Sequence, residues 1–230
     1  MIEKFYREEQ KYFLTKKEYE ILLHEINEHL MKDKYFHEKI CNIYFDNEHD
    51  ELVLKSLNKP LYKEKIRLRS YNVPTLDDNV FLEIKKKYNG VVNKRRIIIT
   101  YKEALDYINN NIVPNTNPQI MKEIDYCFKK YKLKPRLSLT YDRDAYYVKD
   151  NKDLRITFDY DIKCSEEILR LDNLEHGKNF FENNYIMEIK TLNGLPNWFV
   201  KILSKLKIYP TSFSKYGEVY KKLKESEKYV

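Results

Sequence analysis

Several segments of this chain place lysine and arginine at every second position, a spacing that puts the charges on one face of a β-strand, because successive side chains point to opposite sides of a sheet. In Tyr62 to Tyr71, Lys63, Lys65, Arg67 and Arg69 share one face while Ile66 and Leu68 take the other. In Val80 to Lys87, Phe81, Glu83, Lys85 and Lys87 alternate with Leu82 and Ile84. Lys94 and Arg96 share a parity with Ile98, Tyr141 with Arg143, and Arg155 with Thr157 and Asp159. In Tyr185 to Thr191, Glu188 and Lys190 stand opposite Met187 and Ile189.

One such face could simply be solvated, since charged side chains usually sit exposed. A solvated face, however, mixes both signs, and these faces are mostly Lys and Arg, with carboxylates at Glu83, Asp159 and Glu188. If the sheet closes, the cations ring a cavity suited to a polyanion, and its low-dielectric wall strengthens their hold on phosphate oxygens. Arginine offers a bidentate fork to phosphate, and lysine a point charge that follows a moving anion. Glu188 first and Glu83 second are the places where Mg²⁺ or Mn²⁺ would be held by a carboxylate and substrate oxygens. Each serves equally well as an ion-pair partner of neighbouring arginines.

These faces need elements to carry them. Strand character falls at Phe5 to Phe13, Lys39 to Asp46, Tyr62 to Tyr71, Val80 to Lys87, Asn93 to Thr100, Leu137 to Tyr147, Leu154 to Asp159 and Tyr185 to Thr191. Helices are predicted at Thr15 to Lys32 and after Thr100, each opened by a capping box (Thr15 with Glu18, Thr100 with Glu103). Further helices are predicted at Pro118 to Tyr131, Pro196 to Leu206 and Lys215 to Glu227. Ser165 to Asn184 is polar and lacks periodicity, so it reads as a loop excursion. The fold class expected is α+β: an eight-stranded antiparallel β-barrel with amphipathic helices packed outside, in one domain spanning 1–230.

Bulk properties narrow the chemistry. The 230 residues carry 43 Lys+Arg against 36 Asp+Glu, a net +7 that favours anionic partners. The four glycines (Gly90, Gly177, Gly194, Gly217) stand far apart, which excludes a Walker loop or dinucleotide fingerprint, so side chains must hold any phosphate. Cys41, Cys127 and Cys164 form no CxxC, and a reducing cytoplasm is expected. No stretch approaches the roughly 20 apolar residues of a membrane span, and Met1 to Tyr12 lacks an apolar core. The histidines (His24, His29, His37, His49, His176) fall on predicted helices or loops and are read as surface residues.

Nine segments, in order, resemble the catalytic domain of the vacuolar transporter chaperone (VTC) polyphosphate polymerases: Arg7-x-Glu9-x-Lys11-Tyr12, Tyr44-Phe45-Asp46, Lys65-x-Arg67-x-Arg69-x-Tyr71, Phe81-Leu82-Glu83-Ile84-Lys85, Lys94-Arg95-Arg96, Tyr141-x-Arg143-x-Ala145-Tyr146, Leu154 to Asp159, Met187-Glu188-Ile189-Lys190 and Phe213-Ser214-Lys215-Tyr216. The likeness spans nearly the whole chain. It implies the triphosphate tunnel metalloenzyme superfamily and a barrel open at both ends. It further implies ATP bound inside, with Lys11, Arg67, Arg69, Lys85, Lys94, Arg143, Arg155 and Lys215 on its triphosphate. Tyr141 and Ser214 would add hydroxyl contacts, and Glu188 would hold Mn²⁺ or Mg²⁺. The strand faces add Lys65, Lys87, Arg96 and Lys190 as phosphate contacts. The reaction implied is transfer of the γ-phosphate of ATP to a growing polyphosphate chain.

Two positions depart from relatives. Arg7 stands where hydrolytic members of the superfamily usually carry the first carboxylate of E-x-E-x-K, and its loss leans toward transfer over metal-assisted hydrolysis. Ser212 replaces a lysine that some polymerases carry before Phe-Ser-Lys. The transmembrane and regulatory parts of the eukaryotic complex have no counterpart in these residues. Competing readings are a tunnel-fold triphosphatase using water as acceptor and a non-catalytic polyphosphate- or RNA-binding module, in which some of the 21 tyrosines would stack bases. Nucleic acid is the less favoured partner, because Tyr6, Tyr12, Tyr44, Tyr71, Tyr126 and Tyr146 read as barrel packing and rims.

Overall fold

The computed structural model describes residues 8–58, 60–173 and 177–227. Arg7 of the first motif, Phe5 and Tyr6 of the first predicted strand, and His176 lie outside the described residues. The strands are β1 (Glu8–Thr15), β2 (Leu30–Asp46), β3 (Tyr62–Tyr71), β4 (Asn79–Tyr88), β5 (Val91–Thr100), β6 (Lys134–Val148), β7 (Asn151–Ser165), β8 (Lys178–Asn179) and β9 (Asn184–Thr191). The helices are α1 (Lys16–Ile26), α2 (Glu51–Leu57), α3 (Tyr101–Asn110), α4 (Pro118–Tyr131), α5 (Asn197–Lys205) and α6 (Lys215–Glu227). The protein is α+β, with a sheet in the order β1-β9-β7-β6-β2-β3-β4-β5 and the two-residue β8 beside β7. The pairings β1–β9, β9–β7, β2–β3, β3–β4 and β4–β5 are antiparallel.

Local chemistry sets the element ends. Both predicted capping boxes form: Thr15 and Thr100 each accept from the backbone N–H three residues on, while Glu18 and Glu103 reach back. Asn117 caps α4, with Pro118 in its first turn. Asn89 (φ 43°) and Gly90 (φ 84°) turn β4 into β5 with left-handed backbone at both loop positions, as a two-residue hairpin matched to strand twist requires.

Two expectations change. The helix predicted for Thr15 to Lys32 stops at Ile26, followed by a single 3₁₀ turn (Asn27–His29), and Leu30 already opens β2. The strand expected at Lys39 therefore begins nine residues earlier. Leu30 keeps a buried place, but it belongs to a sheet-side core and not to a helical stripe. His37 accordingly lies on a strand, not on a helix or loop, with Nδ1 2.8 Å from Asp144 Oδ1. The short helix α2 had no sequence counterpart, because its seven residues span too few turns for a period to register.

Two compact units divide the described chain. One holds residues 1–38, 141–162 and 181–214, the other 39–140, 163–180 and 215–230. In the second unit, Ile66, Leu68, Leu82, Ile84, Ile97 and Ile99 of β3 to β5 pack on Tyr101, Ala104 and Tyr107 of α3 and Met121, Ile124 and Cys127 of α4. In the first, Tyr12, Leu14, Ile156, Phe158, Met187 and Ile189 of β1, β7 and β9 pack on Leu22 and Ile26 of α1 and Phe199 and Leu203 of α5. Within each unit one face of the strands is thus committed to helices, and period-two alternation leaves the charged residues on the other. Cys41, Cys127 and Cys164 are buried thiols outside any disulfide among the described residues. Among the described residues, no helix is long and apolar enough to cross a membrane.

Candidate functional site

Strand register assembles the charged face of the second unit. Arg67 pairs with Tyr44 on one side and Glu83 on the other, and Glu83 pairs with Arg96. Arg69 lies between Asn42 and Phe81, and Lys65, Lys85 and Lys94 form a row of their own. Lys63 stands opposite Lys87, and its Nζ donates to the Ser56 carbonyl near the end of α2.

Glu83 is the hub, with only 2% of its surface exposed. Arg67 donates Nε to Oε2 at 2.7 Å, and Lys94 Nζ lies 2.8 Å from Oε1. Burial pushes this carboxyl up, but Arg67, Arg69 and Lys94 outweigh burial and hold it at about 2. Arg69, itself buried, donates Nε to Asn42 Oδ1 at 2.8 Å, and Asn42 in turn donates to the Leu139 carbonyl at 3.0 Å. The Arg67 guanidinium also reaches the Tyr44 hydroxyl at 3.4 Å, and Arg96 lies over the Phe81 ring. Lys85, Lys94 and Arg96 are exposed, and Lys65 and Lys87 half-buried. Buried Arg69 and half-buried Arg67 are therefore braced by protein oxygens, whereas the outer cations reach solvent.

Helix α6 is seated on this unit by its second residue: Tyr216 stacks on Tyr44 with ring centroids 4.5 Å apart and donates its hydroxyl to Asp46. Asp46 also accepts the Leu52 and Val53 amides. Burial raises the Asp46 carboxyl despite these hydrogen bonds. Lys215, at the start of α6, is half-buried, as is Ser214 just before it in the other unit.

The first unit has a face of different balance. Glu9, Lys190 and Arg155 form one row across β1, β9 and β7, and Lys11, Glu188 and Thr157 the next. Lys190 Nζ lies 2.5 Å from Glu188 Oε1, and Lys11 Nζ lies 3.8 Å from Oε2, 3.2 Å from Glu9 and 3.3 Å from the Phe213 carbonyl. Arg143 forks onto the fully buried Asp159 at 2.5 and 2.8 Å. Burial opposes the Arg143 charge, but Asp159, with Tyr141 and Glu188, more than offsets it. The same guanidinium lies 5.4 Å from the buried Tyr141 ring. Arg155 binds Asp33 at 2.8 to 2.9 Å. Glu38, on the strand that carries Asp33, is pushed up by burial and by Asp33, against Arg143 and Arg155.

Register and contacts thus bring Arg67, Arg69, Lys65, Lys85, Lys87, Lys94, Arg96 and Glu83 together in one unit and Lys11, Arg143, Arg155, Tyr141, Lys190 and Glu188 in the other. Sequence reasoning missed the braces Asp33 and Asn42 and the anchor role of Asp46. Asp33 pairs across 122 residues from the stretch left between the predicted helix and the predicted strand, so no local signal marks it. Asn42 carried the parity of Tyr44 and Asp46, and that alternation could have found it.

A divalent cation needs hard oxygen donors, and Glu188, 8% exposed between two lysines, is of that chemistry. No group of three or more His, Cys, Asp or Glu among the described residues could enclose an ion. One or two carboxylates with substrate phosphates is the usual manner of binding for Mg²⁺, so the donor set fits a cation shared with a polyphosphate.

The structure is an antiparallel α+β sheet whose side-chain cations gather on the face opposite each apolar core, an arrangement chemically suited to a polyanion. Residues 6–224 match the VTC domain family, and the chain belongs to that family. Two solved structures share its fold. A candidate adenylate cyclase from Bacillus halodurans has a TM-score of 0.55 at 14% identity, covering 90% of this chain and 95% of its own. A protein from Hippeastrum, described as a candidate adenylyl cyclase with a dominant triphosphatase activity, has a TM-score of 0.52 at 14% identity, with 90% and 92% covered. None of the curated proteins matches significantly.

Proposed function

We propose that this protein is a polyphosphate polymerase that transfers the γ-phosphate of ATP to the end of a polyphosphate chain. The observation that carries the reading is the charged face of the second unit, where Lys65, Arg67, Arg69, Lys85, Lys87, Lys94 and Arg96 converge around a single buried hub, Glu83. Membership of the VTC domain family supports it. The reading includes curling of the sheet into an eight-stranded antiparallel tunnel. Within each unit, helices cover the apolar face and leave the cations on the other, as such a tunnel requires.

In the proposed reaction, an oxygen of the terminal phosphate attacks the γ-phosphorus of ATP in line. The bond from that phosphorus to the bridging oxygen breaks, and ADP leaves with the electron pair. Such transfers demand positioning and charge neutralisation more than covalent chemistry. Arg67 and Arg69, braced by Glu83 and Asn42, would fork onto phosphate oxygens with little loss of side-chain freedom. Lys65, Lys85, Lys94 and Lys215 would follow the chain as point charges, and Lys11, Arg143, Arg155 and Lys190 would hold the remaining phosphates, with Tyr141 and Ser214 as hydroxyl contacts. Glu188 would hold Mn²⁺ or Mg²⁺, which when bound neutralises charge between phosphate oxygens. Glu83, paired with Arg67 and Lys94 and held in the field of Arg69, serves better as their brace than as a metal ligand.

A tunnel triphosphatase is the second reading, favoured by one observation: Glu9, a carboxylate of the E-x-E-x-K pattern, is retained beside Lys11. Incubation with ATP and Mn²⁺ followed by gel electrophoresis separates the two. Long phosphate polymers are expected; orthophosphate as the sole product would establish the hydrolase and end the polymerase reading.

A further inference from the structure

Thr157 buries a hydroxyl at the cross-strand position beside Glu188. The residue is 4% exposed, and its Oγ1 is buried with no hydrogen-bond partner among the described residues. A buried hydroxyl without a partner costs free energy that the isosteric valine would avoid, so packing alone gives no reason for threonine here. Its place in the register does. Thr157 is the cross-strand neighbour of Glu188, and Lys11 is the neighbour on the other side. Paired positions on adjacent strands hold their side chains on one face about 5 Å apart.

The Glu188 carboxylate is engaged by Lys190 at 2.5 Å and faces Lys11 at 3.8 Å. A polyanion on this face draws both ammonium groups toward its own oxygens. Glu188, 8% exposed and also in the field of Arg143, is then stabilised by a further donor, because a buried carboxylate whose ammonium partners turn away is costly. We propose that Thr157 is a positioning residue whose hydroxyl donates to Glu188 in the anion-bound state, holding the carboxylate in place as Lys11 and Lys190 turn to phosphate. The inference rests on the reading of this face as a phosphate site. It assigns the exchange of partners that keeps the Glu188 carboxylate in place while the lysines work.

The test is calorimetric binding of inorganic tripolyphosphate, with thermal melting of the anion-free protein, for wild type, Thr157→Val and Thr157→Ser. Because the hydrogen bond forms only on binding, Thr157→Val should weaken tripolyphosphate affinity about tenfold, the effect of one hydrogen bond to a charged group. It should melt at or above the wild-type temperature, while Thr157→Ser stays near wild type in both measurements. A purely structural threonine would instead lower the melting temperature and leave affinity intact. Unchanged affinity in Thr157→Val, or a loss that Thr157→Ser does not restore, overturns the inference while leaving the phosphate-site reading standing. Failure of wild type to bind tripolyphosphate overturns both.

Discussion

Replacing Glu83 by glutamine removes the charge that braces three cations and leaves the shape nearly unchanged. The carboxyl lies 2% exposed and moves from its ordinary 4.5 to about 2 in the folded protein. By linkage, such a displacement contributes about 3 kcal/mol of stability at neutral pH. The sign follows from the depressed folded value: the contribution is complete above pH 4.5 and is lost as pH falls toward about 2. At about 2–4 °C per kcal/mol for a chain of this size, Glu83→Gln should melt about 6–12 °C lower at pH 7. The gap to wild type should narrow on acidification below pH 4.5. Added tripolyphosphate should raise the melting temperature of the variant more than that of wild type, because an anion then replaces the missing counter-charge of Arg67, Arg69 and Lys94. Differential scanning calorimetry across pH, with and without the anion, reads all three. A variant that melts within a degree or two of wild type at pH 7, or a gap that does not change with pH, would refute the placement of Glu83 as the charge hub.

Arg155→Ala should nearly abolish polyphosphate synthesis and also cost about 1–3 kcal/mol, because Asp33 is left buried without its fork. The double variant Arg155→Ala/Asp33→Ala should recover the stability but not the turnover; recovered turnover would remove Arg155 from the phosphate site. Arg69→Ala should likewise stop synthesis, and wild-type turnover in this variant would show that Asn42 braces a residue of no catalytic use. Glu188→Gln should abolish stimulation by Mn²⁺ in the synthesis assay, and an unchanged Mn²⁺ titration would eliminate it as the metal-holding carboxylate.

The parts legible in the sequence are those whose cause is local. β3 and α4 begin and end where alternation and the Asn117-Pro118 start place them, because pattern and punctuation agree there. The start of β2 was hidden. Leu30 to Glu38 follows a well-capped amphipathic helix, continues its polar character and contains no glycine or proline to announce a change. The cationic faces were legible for the same reason as the strands, since parity alone fixes them. Their counter-charges were not: Asp33 meets Arg155 and Asn42 meets Arg69 through tertiary pairing over 122 and 27 residues. The cysteines illustrate the reverse, an absence of spacing that correctly signalled no disulfide.

The carboxylates laced among these arginines and lysines make each face resemble an ion-exchange resin stored in its internal salt form. In the proposed reading, a phosphate chain entering such a face would trade places with Glu188 and Asp33 and would not meet bare charge, so the net gain per step would be small even where each contact is strong. Weak increments summed over many stations give a long anion firm overall retention and low resistance to sliding, the combination that a processive polymer-handling protein needs.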